Sequence, residues 1–198
     1  MIKHLAKFSA DNYYHVINHG VGSENLFRSK ENYRYFLEKY YSHTSSVWGT
    51  YAYCLMPNHF HLLVKVHPSN VLEIHEKYQY DEHKLVMQCV SNWLNAYAKA
   101  YNKMYERKGA LFLDYTKRFE VQTEEYFTSV VNYIHQNPVH HGFCENAHDW
   151  LFSSYHAFLS ERTTYLKRDT TLQYFGGKDA FMHFHTVNKA PIDMEWEY

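Results

Sequence analysis

The sequence is short of the features that settle a class at once. It has three cysteines, Cys54, Cys89 and Cys144, odd in number and widely spaced, which excludes a disulfide framework and a cysteine-based zinc motif. No apolar run approaches membrane-spanning length, and none follows the lysines at the amino terminus. The expectation is therefore a soluble protein of a reducing cytoplasm. Charge of either sign is not in excess: 20 Lys and Arg face 21 Asp and Glu, so net charge by itself gives no support to a nucleic-acid partner. Internal repeats, low-complexity tracts and a second-domain boundary are also missing. The 198 residues read as one domain, with a core over about 11–158 and a C-terminal extension over 159–198.

What is abundant is aromatic. With 20 Tyr and 13 Phe, and counting Trp, aromatics reach 19%. Tyrosine can pack in a core, stack on an unpaired base or act as a nucleophile, so the excess fits several readings. The near-neutral balance also hides a local feature. Between residues 99 and 118, Lys99, Lys103, Arg107, Lys108, Lys117 and Arg118 face only Glu106 and Asp114. Such a cluster is either a solvated helix end and loop or a patch that follows a phosphate backbone.

The stretch Leu55-Met56-Pro57-Asn58-His59-Phe60-His61-Leu62-Leu63-Val64 organises the chain. As a strand it places Phe60, Leu62, Val64 and Val66 on one face and His59 with His61 on the other. Two neutral imidazoles a strand period apart can hold one divalent metal, although a His-x-His pair is also ordinary on a surface. Pro57-Asn58 reads as a turn, making a hairpin of Ser46 to Met56 and His59 to Val66.

Around that hairpin the patterns predict a strand over Asp11 to Asn18, a loop over Asn18 to Asn25 and a helix from about Lys30 to Tyr41. A polar connection with one helical turn spans His67 to Glu82, and a long helix runs from about His83 to Tyr105. Lys117 to Val121 is a short fourth strand. A final helix is capped by Thr123, carries Glu124 and Glu125 in its first turn, and is expected to stop at Pro138. The order of elements predicts an α+β, ferredoxin-like fold, an antiparallel sheet with helices on one face. The tail from Trp150 reads as a packed extension, loose after Asn188.

Tyr133 and Asn137 lie four apart in the last helix and share a face, where an amide oxygen could join two imidazoles at a hard metal beside a phenol. The plainer alternative, a packing tyrosine and a C-capping asparagine, stays open on pattern alone.

These blocks carry a family resemblance. Met-Pro-Asn-His59-Phe-His61-Leu-Leu, then Tyr133-Ile-His-Gln-Asn137-Pro-Val, then Ser153-Ser154-Tyr155 resemble the single-tyrosine HUH transposases, and more closely their REP-associated tyrosine transposase branch. The similarity runs from roughly Tyr13 to Phe158 and includes Gly109 to Phe112 and Lys117-Arg118-Phe119. The resemblance implies a metal-assisted DNA strand transfer at single-stranded, hairpin-bearing ends. In it His59, His61 and Asn137 bind Mg²⁺ or Mn²⁺, and Tyr133 is the nucleophile that forms a 5′-phosphotyrosine. Some relatives carry Gln at the position of Asn137. A homodimer with shared sites is one arrangement within the family. The basic residues named above would follow the DNA backbone, and His135 reads as structural or as a phosphate contact. Two other readings fit the same residues: a non-catalytic single-stranded nucleic-acid binder descended from a transposase, and a replication or plasmid-transfer initiator, against which the lack of an obvious helicase segment counts.

Overall fold

The structure is a computed structural model that describes residues 5–22, 24–72 and 81–188. Strand β1 (Tyr13–His19) is followed by helix α1 (Lys30–Thr44), strands β2 (Trp48–Met56) and β3 (His59–Val66), helix α2 (Glu82–Met104), strand β4 (Lys117–Val121) and helix α3 (Glu124–His140). Three short helices close the described chain: α4 (Tyr155–Leu159), α5 (Arg168–Phe175) and α6 (Lys178–Val187). The four strands form one antiparallel sheet in the order β2-β3-β1-β4, the strand order of a ferredoxin-like fold.

Alternation along the strands sorts side chains to two faces. Val16, Phe60, Leu62, Val64 and Val66 meet Phe36 and Tyr40 of α1 and Val86, Val90 and Trp93 of α2. That layer is the expected one. The opposite face is covered as well: Ile17, Cys54, Met56, Leu63, Phe119 and Val121 pack with Val130, Ile134, Phe158 and Phe181, so α3, α4 and α6 form a second layer. The two histidines of β3 therefore stand beneath α3.

Several boundaries differ from expectation by one to three residues, and one difference has chemical weight. Helix α3 does not stop at Pro138. It runs through that proline to His140, with His141 as its C-cap. Proline removes one amide donor but leaves its own carbonyl available, and the real stop lies four residues on. Gly142 adopts φ +70°, Phe143 N–H bonds the Pro138 carbonyl at 2.8 Å and Gly142 N–H bonds the Val139 carbonyl at 3.0 Å. This is a Schellman ending built on a left-handed glycine. Asn137 is thereby a helical residue, held in phase with Tyr133. At the other end Thr123 accepts from Tyr126 N–H at 3.2 Å, as its position predicted.

The connection before α2 begins with a turn in which Leu72 N–H bonds the Pro68 carbonyl. The rest of the helical turn expected there, and the loose terminus expected after Asn188, lie outside the described residues. None of the described helices is long and apolar enough to cross a membrane.

Candidate active site

Two strands and one helix build the site. Register pairs His59 of β3 with His19 of β1, and His61 with Ile17. The His59 and His19 rings stack at 4.8 Å, and the His59 and His61 rings meet edge to face at 5.0 Å. From above, α3 lowers Asn137 onto His59, with Oδ1 3.0 Å from Nε2. One turn earlier it sets the Tyr133 ring edge-on to His61 at 5.6 Å and to His15 at 5.9 Å. The two imidazoles, the amide and the phenol expected to meet are thus neighbours within one chain. Tyr133 is 1% exposed, and its position under the helix layer means that a ligand reaches its hydroxyl only by local opening.

The imidazoles are neutral. Burial holds His59 down at about 3 and His61 well below its ordinary range. Their hydrogen bonds orient the remaining lone pairs. His59 Nδ1 lies 2.8 Å from Asn58 Oδ1 and Nε2 lies 3.0 Å from Asn137 Oδ1; the neutral ring donates from one nitrogen, so the other turns a lone pair to an amide oxygen. Two such acceptors repel unless the amide turns over or a cation lies between them. An octahedral ion with bonds near ~2.1 Å spaces adjacent ligands by about 3.0 Å. His61 Nδ1 contacts His15 Nε2 at 3.0 Å, while its buried Nε2 has no partner among the described residues. Asn137 Nδ2 has none either. An orphaned imidazole nitrogen beside a facing nitrogen–oxygen pair fits a divalent ion that accepts mixed N and O ligands. Among the described residues no group of three or more His, Cys, Asp or Glu side chains is arranged to hold a metal.

Beside His59 a cavity of about 420 Å³ is lined by His19, Asn25, Pro57, Asn58, His141 and Phe143. Among the described residues no carboxylate lines it.

The basic residues divide. Lys99, Lys103 and Lys108 are exposed, and Lys99 lines a separate cavity of about 430 Å³ beside α2. Arg107 is tied to Glu24 at 2.6 Å and to the carbonyls of Gly109 and Ala110. Arg118 donates to the carbonyls of Ala6 and Thr116 and lies over Phe8, on the α1–α2 face. Lys117 points to the opposite face, that of the histidines. His135 faces away from the site. It is buried between Ser154 Oγ at 2.8 Å and His185 Nε2 at 2.9 Å, which makes it a structural group.

Sequence reasoning did not single out His15 and His19, although a signal was there: in a strand next to β3 they sit four apart and so on one face. His141 was hidden behind the misplaced helix end.

The fold is an antiparallel four-stranded α+β sandwich with His59, His61 and Tyr133 on one side of the sheet. No protein-family model matches the chain, and no curated protein matches it in sequence. Among solved structures, a REP-associated tyrosine transposase bound to a REP hairpin is similar in fold, with a TM-score of 0.54 and 14% identity over 79% of this chain and 84% of that one.

Proposed function

We propose that this chain is a transposase-like enzyme that cleaves and rejoins single-stranded DNA at hairpin-bearing ends. The reading is carried by one observation: His59, His61, Asn137 and Tyr133 converge within a single chain. It is supported by a fold shared with a transposase whose structure holds a REP hairpin.

In this reading His59, His61 and Asn137 hold Mg²⁺ or Mn²⁺, which polarises the scissile phosphate and offsets charge developing on it. The phenol of Tyr133, ordinarily with a pKa near 10, is a weak nucleophile that gains from being fixed beside that phosphate. Its oxygen bonds to phosphorus as the bond to O3′ breaks. The phenol proton leaves to solvent and the departing 3′ oxygen takes one up. The 5′-phosphotyrosine ester keeps the energy of the broken bond, so a 3′-hydroxyl can reverse the step and join strands. The cavity at His59, free of carboxylates, suits an approaching nucleotide. In this reading Tyr133 acts beside its own chain's His61, which its ring meets edge-on at 5.6 Å.

The test is Tyr133→Phe. Covalent protein–DNA adducts on single-stranded hairpin DNA with Mg²⁺ disappear in the variant while DNA affinity stays within about threefold. An undiminished adduct rejects the assignment. The closure over Tyr133 favours a second reading, a binding protein without catalysis. It predicts DNA binding that ignores divalent metal and survives loss of His59 and His61.

A further inference from the structure

Among the six basic residues between positions 99 and 118, Lys117 stands apart. It precedes Arg118 on β4 and shares the face of Phe119 and Val121, beneath α3. Its partner on β1 is Ile17, whose partner on β3 is His61, so one cross-sheet row runs Lys117, Ile17, His61. Two strand spacings, about 10 Å, separate the ends of that row. A lysine stem covers roughly 6 Å of such a distance.

The stem of Lys117 is buried, while its ammonium, which has no hydrogen-bond or ion-pair partner among the described residues, keeps contact with solvent. Burial alone lowers its pKa, and no acidic group acts on it. The neighbour its charge acts on is His19, held uncharged at about 4 by burial, by Lys117 and by His141, and stacked on His59. A partly desolvated cation without an anion of its own is available to one that a ligand brings. Arg118 and Arg107 show the alternative, since both have their guanidinium groups satisfied by internal carbonyls or a carboxylate. The face beneath α3 thus combines cation-binding lone pairs with an unmatched ammonium, a set complementary to a phosphodiester.

We propose that Lys117 is a catalytic residue that binds a non-bridging oxygen of the phosphate attacked by Tyr133, a role distinct from following the DNA backbone. This rests on the strand-transfer reading above. The ammonium holds that oxygen in line with the histidine row and stabilises the charge that gathers on it as phosphorus changes partners. No proton is transferred in this role.

The experiment walks a single methylphosphonate, a neutral phosphate replacement, along the single-stranded flank of a hairpin oligonucleotide selected for binding from a randomised pool. Affinity is measured without divalent metal for Tyr133→Phe and for Tyr133→Phe with Lys117→Met. One position weakens binding of the first protein by about tenfold and of the second by less than twofold. It is the phosphate at which the unmodified protein forms its adduct. Equal losses at every position overturn the proposal. An adduct that persists in Tyr133→Phe, or none from the unmodified protein, rejects the strand-transfer reading instead, and the methylphosphonate comparison still decides whether Lys117 meets a particular phosphate. Lys117→Met leaves the melting temperature of the DNA-free protein within about 2 °C, because it keeps the buried stem and removes a charge that water already solvates. A larger fall marks Lys117 as a packing residue and overturns the role.

Discussion

Acid should unfold this protein steeply, and the histidines set the size of the effect. His15, His59, His61, His135 and His185 are each 5% exposed or less. Burial holds His15 and His59 at about 3, His185 at about 4, and His61 and His135 well below the ordinary value. In the unfolded chain all five titrate near ~6.5. Because the folded values are depressed, the unfolded state takes up protons first as pH falls. Stability is therefore intact above ~6.5 and is lost through the window from ~6.5 down to the folded values. At pH ~5.5 each group costs about 1.4 kcal/mol, and the five together cost about 7 kcal/mol. Domains of this size are stable by about 5–15 kcal/mol, so the metal-free chain approaches its unfolding midpoint near pH ~5.5. Urea titrations in chelator from pH ~7.5 to ~5.5 measure the loss, and calorimetry in buffers of different ionisation enthalpy counts about four to five protons taken up on unfolding. A change in unfolding free energy below about 2 kcal/mol across that range refutes the argument, because it requires most of these imidazoles to be charged in the folded state.

Other expectations follow from single contacts. Mn²⁺ at about a hundred times its dissociation constant stabilises the protein by about 2.7 kcal/mol in thermal denaturation, and His59→Ala or His61→Ala removes the gain. Gly142→Ala costs about 1 kcal/mol in urea titration: a Cβ there meets nothing within 4 Å, so the cost is purely that of the left-handed backbone. Ser154→Ala leaves the Tyr53 amide and His135 Nε2 without their partner and costs about 1–3 kcal/mol. Light scattering on the purified chain that gives the mass of a monomer, together with adduct formation at that concentration, matches a tyrosine acting beside its own histidines.

The parts of the site that were legible from sequence are those governed by a short period. Strand alternation put His59 and His61 on one face, and helical spacing put Tyr133 over Asn137, because both rules act within a few residues. The ferredoxin-like class and a helix layer on the sheet followed from the order of elements that the same periodicities gave. What was not legible depends on partners distant in the chain. His15 reaches His61 across forty-six residues and only through the β1–β3 register. The end of α3 was misplaced because the penalty at Pro138 is local and strong in the pattern, whereas the Gly142 ending shows itself only once the Phe143 and Gly142 amides fold back. The second helix layer was hidden for a similar reason: α5 and α6 are short, and what fixes α6 is Phe181 and His185 meeting α3, not their own periodicity.

Helix α3 is gripped on both sides, and this bears on how Tyr133 could be reached. Its sheet side sets Asn137 against His59 and Tyr133 against His61. Its outer side is tied down by a directed relay. His185 Nδ1 faces the Phe181 carbonyl at 2.8 Å and must donate, so its Nε2 accepts from His135 Nδ1, and His135 Nε2 accepts from Ser154. Gln136 bonds the His185 carbonyl and Asn132 the Asn188 carbonyl, each at 2.8 Å. Swinging α3 away would break these bonds and expose the apolar contacts of Val130, Ile134 and Phe181 together. On the strand-transfer reading, a DNA strand would therefore reach the phenol by local opening beside the His59 cavity rather than by movement of the whole helix. Rigid placement of the phenol against His61 is then a property of the fold.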